Sequence, residues 1–303
     1  MSFEQYLQKQ KLASSTIQGH LADIKRFKNW CITEGVNHNQ ANYNHLLKFI
    51  DQFRKREITA TTINLHLNSI SKYYNYQIQQ ERRKACGERS RTNNPARDLR
   101  VKKDGSKVLR DLLSTAQLDQ IYQQYSNKPT WSFREEKQKQ THRRNTVILG
   151  LLIYQGLQTG ELKKLEAHHI NLKTGTIYIP TGSRGNSRTL KLQASQILAI
   201  QQYIQQRDQF FPAKRADMLF IGNMHSIIRW LIGELRSSNE LVKSAFQIRS
   251  SVIVNWLSRH NLRQVQYMAG HRHIGSTERY KQEDLGDLQR QLELFHPLGN
   301  EAH

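Results

Sequence analysis

Apolar residues near the amino terminus recur at helical spacing. Ile17, Leu21, Ile24, Phe27 and Cys31 follow one another at intervals of 4, 3, 3 and 4, which places them on one face of a helix. Ile63, Leu67, Ile70 and Tyr74 form a second such face, and Tyr43 to Phe53 reads as a third helix between them. Ser2 with Gln5 and Ser15 with Gln18 have the spacing of a capping box, in which a side-chain oxygen and a return partner close off the first turn. The pattern predicts an all-helical domain over residues 1–90.

Further on, Ser114 is placed to cap a helix through Leu118, Ile121 and Tyr125. Residues 131–145 are polar without a clear period, and read either as a loop or as the solvated start of the next helix. Thr146 to Leu157 is apolar enough for a core helix. The period then changes: Thr176 to Pro180 and Arg188 to Leu192 read as strands joined by a turn over Gly182 to Asn186. From Ala194 the helical period returns at Ile197–Ile204, Ile227–Leu235, Ile248–Leu257 and Leu262–Met268. Leu285, Leu288, Leu292 and Phe295 share one side of a terminal helix. The expected fold class is mainly α with a small antiparallel β-sheet: a helical domain at 1–90, a linker at 91–112 and an α+β domain at 113–303.

Charge narrows the choice of partner. The 303 residues carry 46 Lys and Arg against 25 Asp and Glu, a formal charge of +21. Such an excess repels itself unless a polyanion neutralises part of it. Between Arg82 and Arg110 there are eleven basic residues and three acids, interleaved with Gly87, Asn93-Asn94-Pro95 and Asp104-Gly105. A basic linker between two folded parts suits a protein that closes around duplex DNA. The cations expected on phosphates are Arg97, Arg100, Lys102 and Lys103 here, and Arg188 beyond the hairpin turn. An acidic membrane surface is the other polyanion, but no lipidation signal or strongly apolar helix face supports it. No apolar run approaches the roughly 20 residues of a membrane span. The amino terminus lacks an apolar signal core, so a cytosolic location is expected. Cys31 and Cys86 make no disulfide framework and suggest no metal site.

The candidate chemistry lies toward the carboxyl terminus. Ala269-Gly270-His271 ends a predicted helix, a short turn and Thr277 follow, and Tyr280 comes nine residues after His271. Arg249 precedes His271 by 22 residues. Upstream, Tyr154-Gln-Gly-Leu-Gln-Thr-Gly-Glu-Leu162 forms a helix end, and Asn94-Pro95-Ala96 lies between the two predicted domains. Together these motifs, in this order and spacing, resemble the tyrosine recombinase (phage integrase) family over nearly the whole chain. The Ser14-Ser15-Thr16-Ile17 face is similar to that family's core-binding domain.

The resemblance implies a reaction and roles. A tyrosine hydroxyl attacks a DNA phosphodiester, and the phosphotyrosine conserves the bond energy for rejoining. A free tyrosine, with a pKa of about 10, is a poor nucleophile. The family holds it in line and supplies cations and donors to the phosphate oxygens, as in other phosphoryl transfers. On this pattern Tyr280 is the nucleophile, Arg249 and His271 are phosphate ligands, and Glu161 braces the arginines. Three positions depart from the pattern: Gln158 stands where a first arginine belongs, Phe246 where a His belongs, and Arg184 is the best match to a hairpin lysine. Lys163, Lys164 or Arg188 could supply the missing cation. Neither metal nor nucleotide is expected, since there is no phosphate-binding Gly-rich loop and no His-Glu-x-x-His pair; His273 reads as a solvated loop residue. The implied partner is double-stranded DNA held in a tetramer, with the helix at Leu285 to Phe295 docking on a neighbouring subunit. Two readings remain open: a working recombinase, and a DNA-binding accessory protein on the same scaffold that has lost its chemistry. A metal-dependent nuclease would need clustered carboxylates, which the sequence does not offer.

Overall fold

The computed structural model describes residues 1–84, 93–102, 111–128, 135–182, 185–210 and 217–281. The chain divides into two compact units, Met1–Lys107 and Val108–His303.

The first unit contains α1 (Phe3–Lys9), α2 (Ser14–Thr33), α3 (Tyr43–Lys55) and α4 (Ala60–Lys84). Its core is aromatic: Phe27, Trp30, Phe49, Phe53 and Tyr74 pack with Leu46, Ile63, Leu67 and Ile70. The capping box at Ser2 and Gln5 forms. The one expected at Ser15 and Gln18 does not, because α2 begins two residues earlier, at Ser14 behind Ala13, which offers no side-chain cap. His20 takes a buried place on α2 while Leu21 is only half-buried. A buried imidazole requires a partner, and His20 Nδ1 lies 2.8 Å from Ser69 Oγ on α4.

Part of the expected linker belongs to this unit. Ala96 and Leu99 are buried in its core. The Asn94 amide donates to the Ser71 carbonyl at 2.9 Å and to Asn75 Oδ1 at 2.8 Å, and Asn64 pairs with Val101 through both of its amide atoms. Arg97, Arg100 and Lys102 remain exposed on that segment; Lys103 lies outside the described residues.

The second unit begins with α5 (Thr115–Ser126), closed by the expected Ser114 cap with Gln117 as return partner. The polar segment resolves as the start of a helix from residue 136: α6 (Glu136–Tyr154) is solvated at its head and buried from Asn145 to Ile153. Then come α7 (Thr159–Leu162), a 3-10 turn (Ala167–His169) and the strands β1 (Ile170–Asn171), β2 (Thr176–Ile179) and β3 (Arg188–Lys191). The sheet is antiparallel in the order β1-β2-β3, with Ile177 opposite Leu190 and Ile179 opposite Arg188. The helices α8 (Ala194–Phe210), α9 (Met224–Ser238), α10 (Ala245–Leu257), α11 (Leu262–Ala269) and α12 (Gly275–Glu278) follow. One core of Leu, Ile and Val runs from α6 through α9 and α10 to the inner face of the sheet. The terminal helix expected at Leu285 to Phe295 and the hairpin residue Arg184 lie outside the described residues. Among the described residues, no helix is long and apolar enough to cross a membrane.

Candidate active site

Three elements of the second unit converge on one carboxylate. Glu161 sits in the first turn of α7, where its Oε2 accepts the Gln158 backbone N–H at 2.8 Å. Arg188, the first residue of β3, meets it with two parallel bonds, Nη1 to Oε1 at 2.6 Å and Nη2 to Oε2 at 3.2 Å. Arg249 on α10 brings Nη1 to 3.8 Å from Oε2. All three side chains are buried. Burial alone would raise the pKa of Glu161, but Arg188, the Gln158 N–H and Arg249 outweigh it and hold the carboxyl below its ordinary value.

Arg249 is also fixed by backbone. Its Nη1 donates to the Gly156 carbonyl and its Nη2 to the Ala269 carbonyl at 2.8 Å. Gly156 ends the approach from α6 with φ +58, a left-handed conformation that favours glycine. Burial lowers the pKa of Arg249, yet a guanidinium starts so high that it remains charged.

His271 follows the C-cap of α11. Gly270 adopts φ +68 there, and the His271 N–H returns to the Gln266 carbonyl. The His271 Nε2 is 3.3 Å from Arg249 Nη2, and Nδ1 is 2.8 Å from Thr277 Oγ1. An arginine can only donate, so Nε2 accepts and the proton sits on Nδ1, directed at Thr277. Burial first, then Arg249 and Arg188, push the pKa of His271 down to about 4. The ring is neutral near pH 7, and its Nε2 becomes a donor only on gaining a proton. In the unfolded chain an imidazole titrates near 6.5, so the unfolded state binds more protons as pH falls below that value. Stability drawn from neutral His271 is therefore present above about 6.5, declines as pH falls and is gone below about 4. Proton NMR of the free protein should show the His271 ring titrating near 4, and an anion bound beside it should raise that midpoint.

Tyr280 lies just past α12. Its ring stacks on His271 with centroids 5.8 Å apart and planes 18° apart, and it packs against Ile253, Val265 and Ala269. The structure thus brings together Tyr280, Arg249, His271 and Glu161 from four separate stretches of sequence.

The other expected positions fall differently. Gln158 is exposed and contributes its backbone N–H to Glu161. Phe246 is 65% exposed near the start of α10, one turn before Arg249. Lys163 and Lys164 are exposed, and Lys164 donates to the Thr181 carbonyl at 3.2 Å. Arg188, expected on DNA phosphates, has a fully buried side chain spent on Glu161. Strand alternation carried that signal: Arg188 shares a face with Leu190, opposite in phase to exposed Thr189 and Lys191. Sequence reasoning also missed Tyr267, whose hydroxyl accepts the Thr189 N–H at 3.1 Å and ties α11 to β3.

Among the described residues, Glu166, His168 and His169 bring metal-ligating atoms within 4.8 Å of one another. His169 Nδ1 already accepts the Glu166 N–H at 3.0 Å. A neutral imidazole that accepts at Nδ1 carries its proton on Nε2, so a metal on either nitrogen would break this cap. The trio is a turn closure, and His273 is exposed apart from it.

The phage integrase family model matches residues 112–285, and that of the phage integrase N-terminal SAM-like domain matches residues 1–81. The TnP I resolvase of Bacillus thuringiensis is 23% identical over 302 residues, covering 97% of this chain and 98% of that protein. Tyrosine recombinase XerD of Shewanella oneidensis is 21% identical over 299 residues, covering 95% and 92%. Among solved structures, the Tn1549 transposon integrase in complex with transposon right end DNA has a TM-score of 0.64 at 15% identity, covering 98% of this chain and 100% of that one. The XerH site-specific recombinase bound to a palindromic difH substrate has a TM-score of 0.64 at 16% identity, covering 85% and 73%. These structures share the fold.

Proposed function

Since the chain belongs to the phage integrase family of tyrosine recombinases, we propose that it cuts and rejoins duplex DNA through a transient 3′-phosphotyrosine on Tyr280. The observation that carries this reading is the Tyr280 ring stacked on His271, whose Nε2 meets Arg249, all within one chain. The step itself is balanced. The Tyr280 hydroxyl oxygen bonds to phosphorus, the bond from phosphorus to O5′ breaks, the tyrosine gives up one proton and O5′ takes one up. Rejoining is the same step in reverse, so no external energy source enters.

Arg249 is the phosphate ligand of this mechanism. Its guanidinium is held rigidly by two carbonyls, so little reorganisation is needed when negative charge grows on the non-bridging oxygens. His271 becomes a donor to the same oxygens once the phosphate restores its proton affinity. Strand exchange involves two duplexes and four cleavages, so a tetramer on DNA is the assembly the reading requires.

One observation favours the second reading, an accessory DNA-binding protein that has lost chemistry. Gln158 carries no charge, and exposed Phe246 offers no donor where the family pattern places one. Losing one preorganised donor typically costs about 10²–10³ in rate. Covalent trapping on nicked duplexes without metal separates the readings: an adduct carries the recombinase, and binding without an adduct carries the accessory protein.

Both readings require DNA binding through Arg97, Arg100, Lys102 and Lys103. If about eight cations neutralise phosphates, log K should fall against log salt with a slope near −7 in a fluorescence-anisotropy titration. A slope near zero would remove the electrostatic basis of both.

A further inference from the structure

With Gln158 neutral, the phosphate site is one arginine short of the family pattern, yet the structure holds a second guanidinium beside it. The Glu161 carboxylate lies between Arg188, bonded at 2.6 and 3.2 Å, and Arg249 at 3.8 Å. Two cations and one anion leave this buried cluster a single positive charge. Without Arg188, Glu161 and Arg249 would cancel, and a DNA phosphate would meet a neutral site.

Arg188 is built into that place. Its side chain has no exposed surface. A Cβ on Gly270 would stand 2.3 Å from its Nη1, so the guanidinium packs closely against the turn that presents His271. The same turn is stitched to the hairpin by the Asn186 N–H on the Gly270 carbonyl at 3.0 Å and by a bridge between Gly185 and His271. The field of Arg188 also reaches both phosphate ligands, since it lowers the proton affinity of Arg249 and of His271.

We infer that Arg188 is a positioning residue that supplies the site with the positive charge position 158 lacks, by neutralising Glu161 so that the charge of Arg249 is left for the scissile phosphate. It acts through Glu161 and touches no DNA. The inference rests on the recombinase reading and deepens it.

The test compares Arg188→Met, Arg188→Lys and the double variant Gln158→Arg/Arg188→Met. Adduct formation on a nicked duplex is measured at saturating DNA, beside duplex affinity. Arg188→Met should slow adduct formation about 100-fold, the effect of one preorganised charge, with affinity changed less than about threefold. The double variant should recover at least about tenfold of the loss, because a guanidinium at 158 restores the charge from the other side of Glu161. A double variant as slow as Arg188→Met would overturn the inference, leaving Arg188 a structural clamp. Should Arg188→Met fail to fold, Arg188→Lys decides. It keeps the charge without the fork, and a rate within about tenfold of the wild type supports the charge role. A rate as low as that of an inactive protein, in a folded Arg188→Lys variant, overturns it. If the wild type itself forms no adduct, the recombinase reading has failed separately. Orthovanadate binding, read from the His271 ring signals, then tests the charge directly. Affinity unchanged in Arg188→Lys but lost on charge removal supports it, and equal loss in both variants overturns it.

Discussion

Tyr280→Phe is expected to abolish the covalent protein–DNA adduct, by roughly 10⁴-fold or more, while leaving duplex affinity within about twofold. The substitution removes one oxygen and keeps the ring. The stack on His271 and the packing on Ile253, Val265 and Ala269 depend on the ring alone. The phosphate contacts proposed for the basic segment are far along the chain, at Arg97, Arg100 and Lys102, so binding has no reason to change. The measurement is a denaturing gel of protein incubated with nicked duplexes drawn from the DNA flanking the gene. An adduct that survives in Tyr280→Phe would move the nucleophile to another residue. Absence of an adduct in the wild type, even after Gln158→Arg, would make Tyr280 a packing residue and favour the accessory reading.

The second large effect is structural. Gly270→Ala should destabilise the second unit by about 4–7 kcal/mol, of which about 3–5 is the cost of breaking a buried ion pair and about 1–2 that of the left-handed backbone, and suppress adduct formation with it. Two costs combine. An alanine at φ +68 pays about 1–2 kcal/mol for the left-handed conformation. Its Cβ would also stand 2.3 Å from Arg188 Nη1, 2.9 Å from its Cζ and 3.2 Å from the Asn186 carbonyl. A free arginine would swing away, but this one is bonded to Glu161 and enclosed, so moving it leaves a buried carboxylate without its main partner. For a domain of this size the loss corresponds to a fall in Tm of about 15 °C. Gly275→Ala is the control, since a Cβ there would meet Glu278 at an ordinary 3.7 Å and should change stability by less than about 0.5 kcal/mol. Calorimetry on the two variants checks the pair: equal Tm values would mean Arg188 relaxes freely.

The sequence was informative where local geometry dictates structure. Helical spacing located α2 to α5, α8, α9 and α11, and Ile63, Leu67, Ile70 and Tyr74 are all buried as spaced, whereas α6 and α10 are buried over continuous runs. The order and spacing of Glu161, Arg249, His271 and Tyr280 foreshadowed their cluster through the resemblance to the tyrosine recombinase pattern, not through local geometry. Other features depended on distant partners. β1 is two residues long, too short to show a period, and exists because Ile170 and Asn171 find Ile177 and Thr176. The segment around Asn94 has turn chemistry and high charge, but Ala96 and Leu99 find a core already built by α2 to α4. Arg188 was read by its charge, when its strand phase with Leu190 pointed inward. The inward position is tolerable for an arginine only because Glu161 waits there from another element, which no local pattern reveals.

The stitching of the hairpin to the His271 turn also limits how this gene can vary. Loops usually absorb insertions and deletions at small cost. Here Asn186 is pinned to Gly270 and Arg188 to Glu161, with Ser187 alone between them. A codon added or lost in that interval has no slack to take it up. One of the two anchors must let go, or β3 must slip by one and turn its inward set of side chains to the outside. Over Gly185 to Arg188, the identity of Ser187 is open to change, but the number of residues is not.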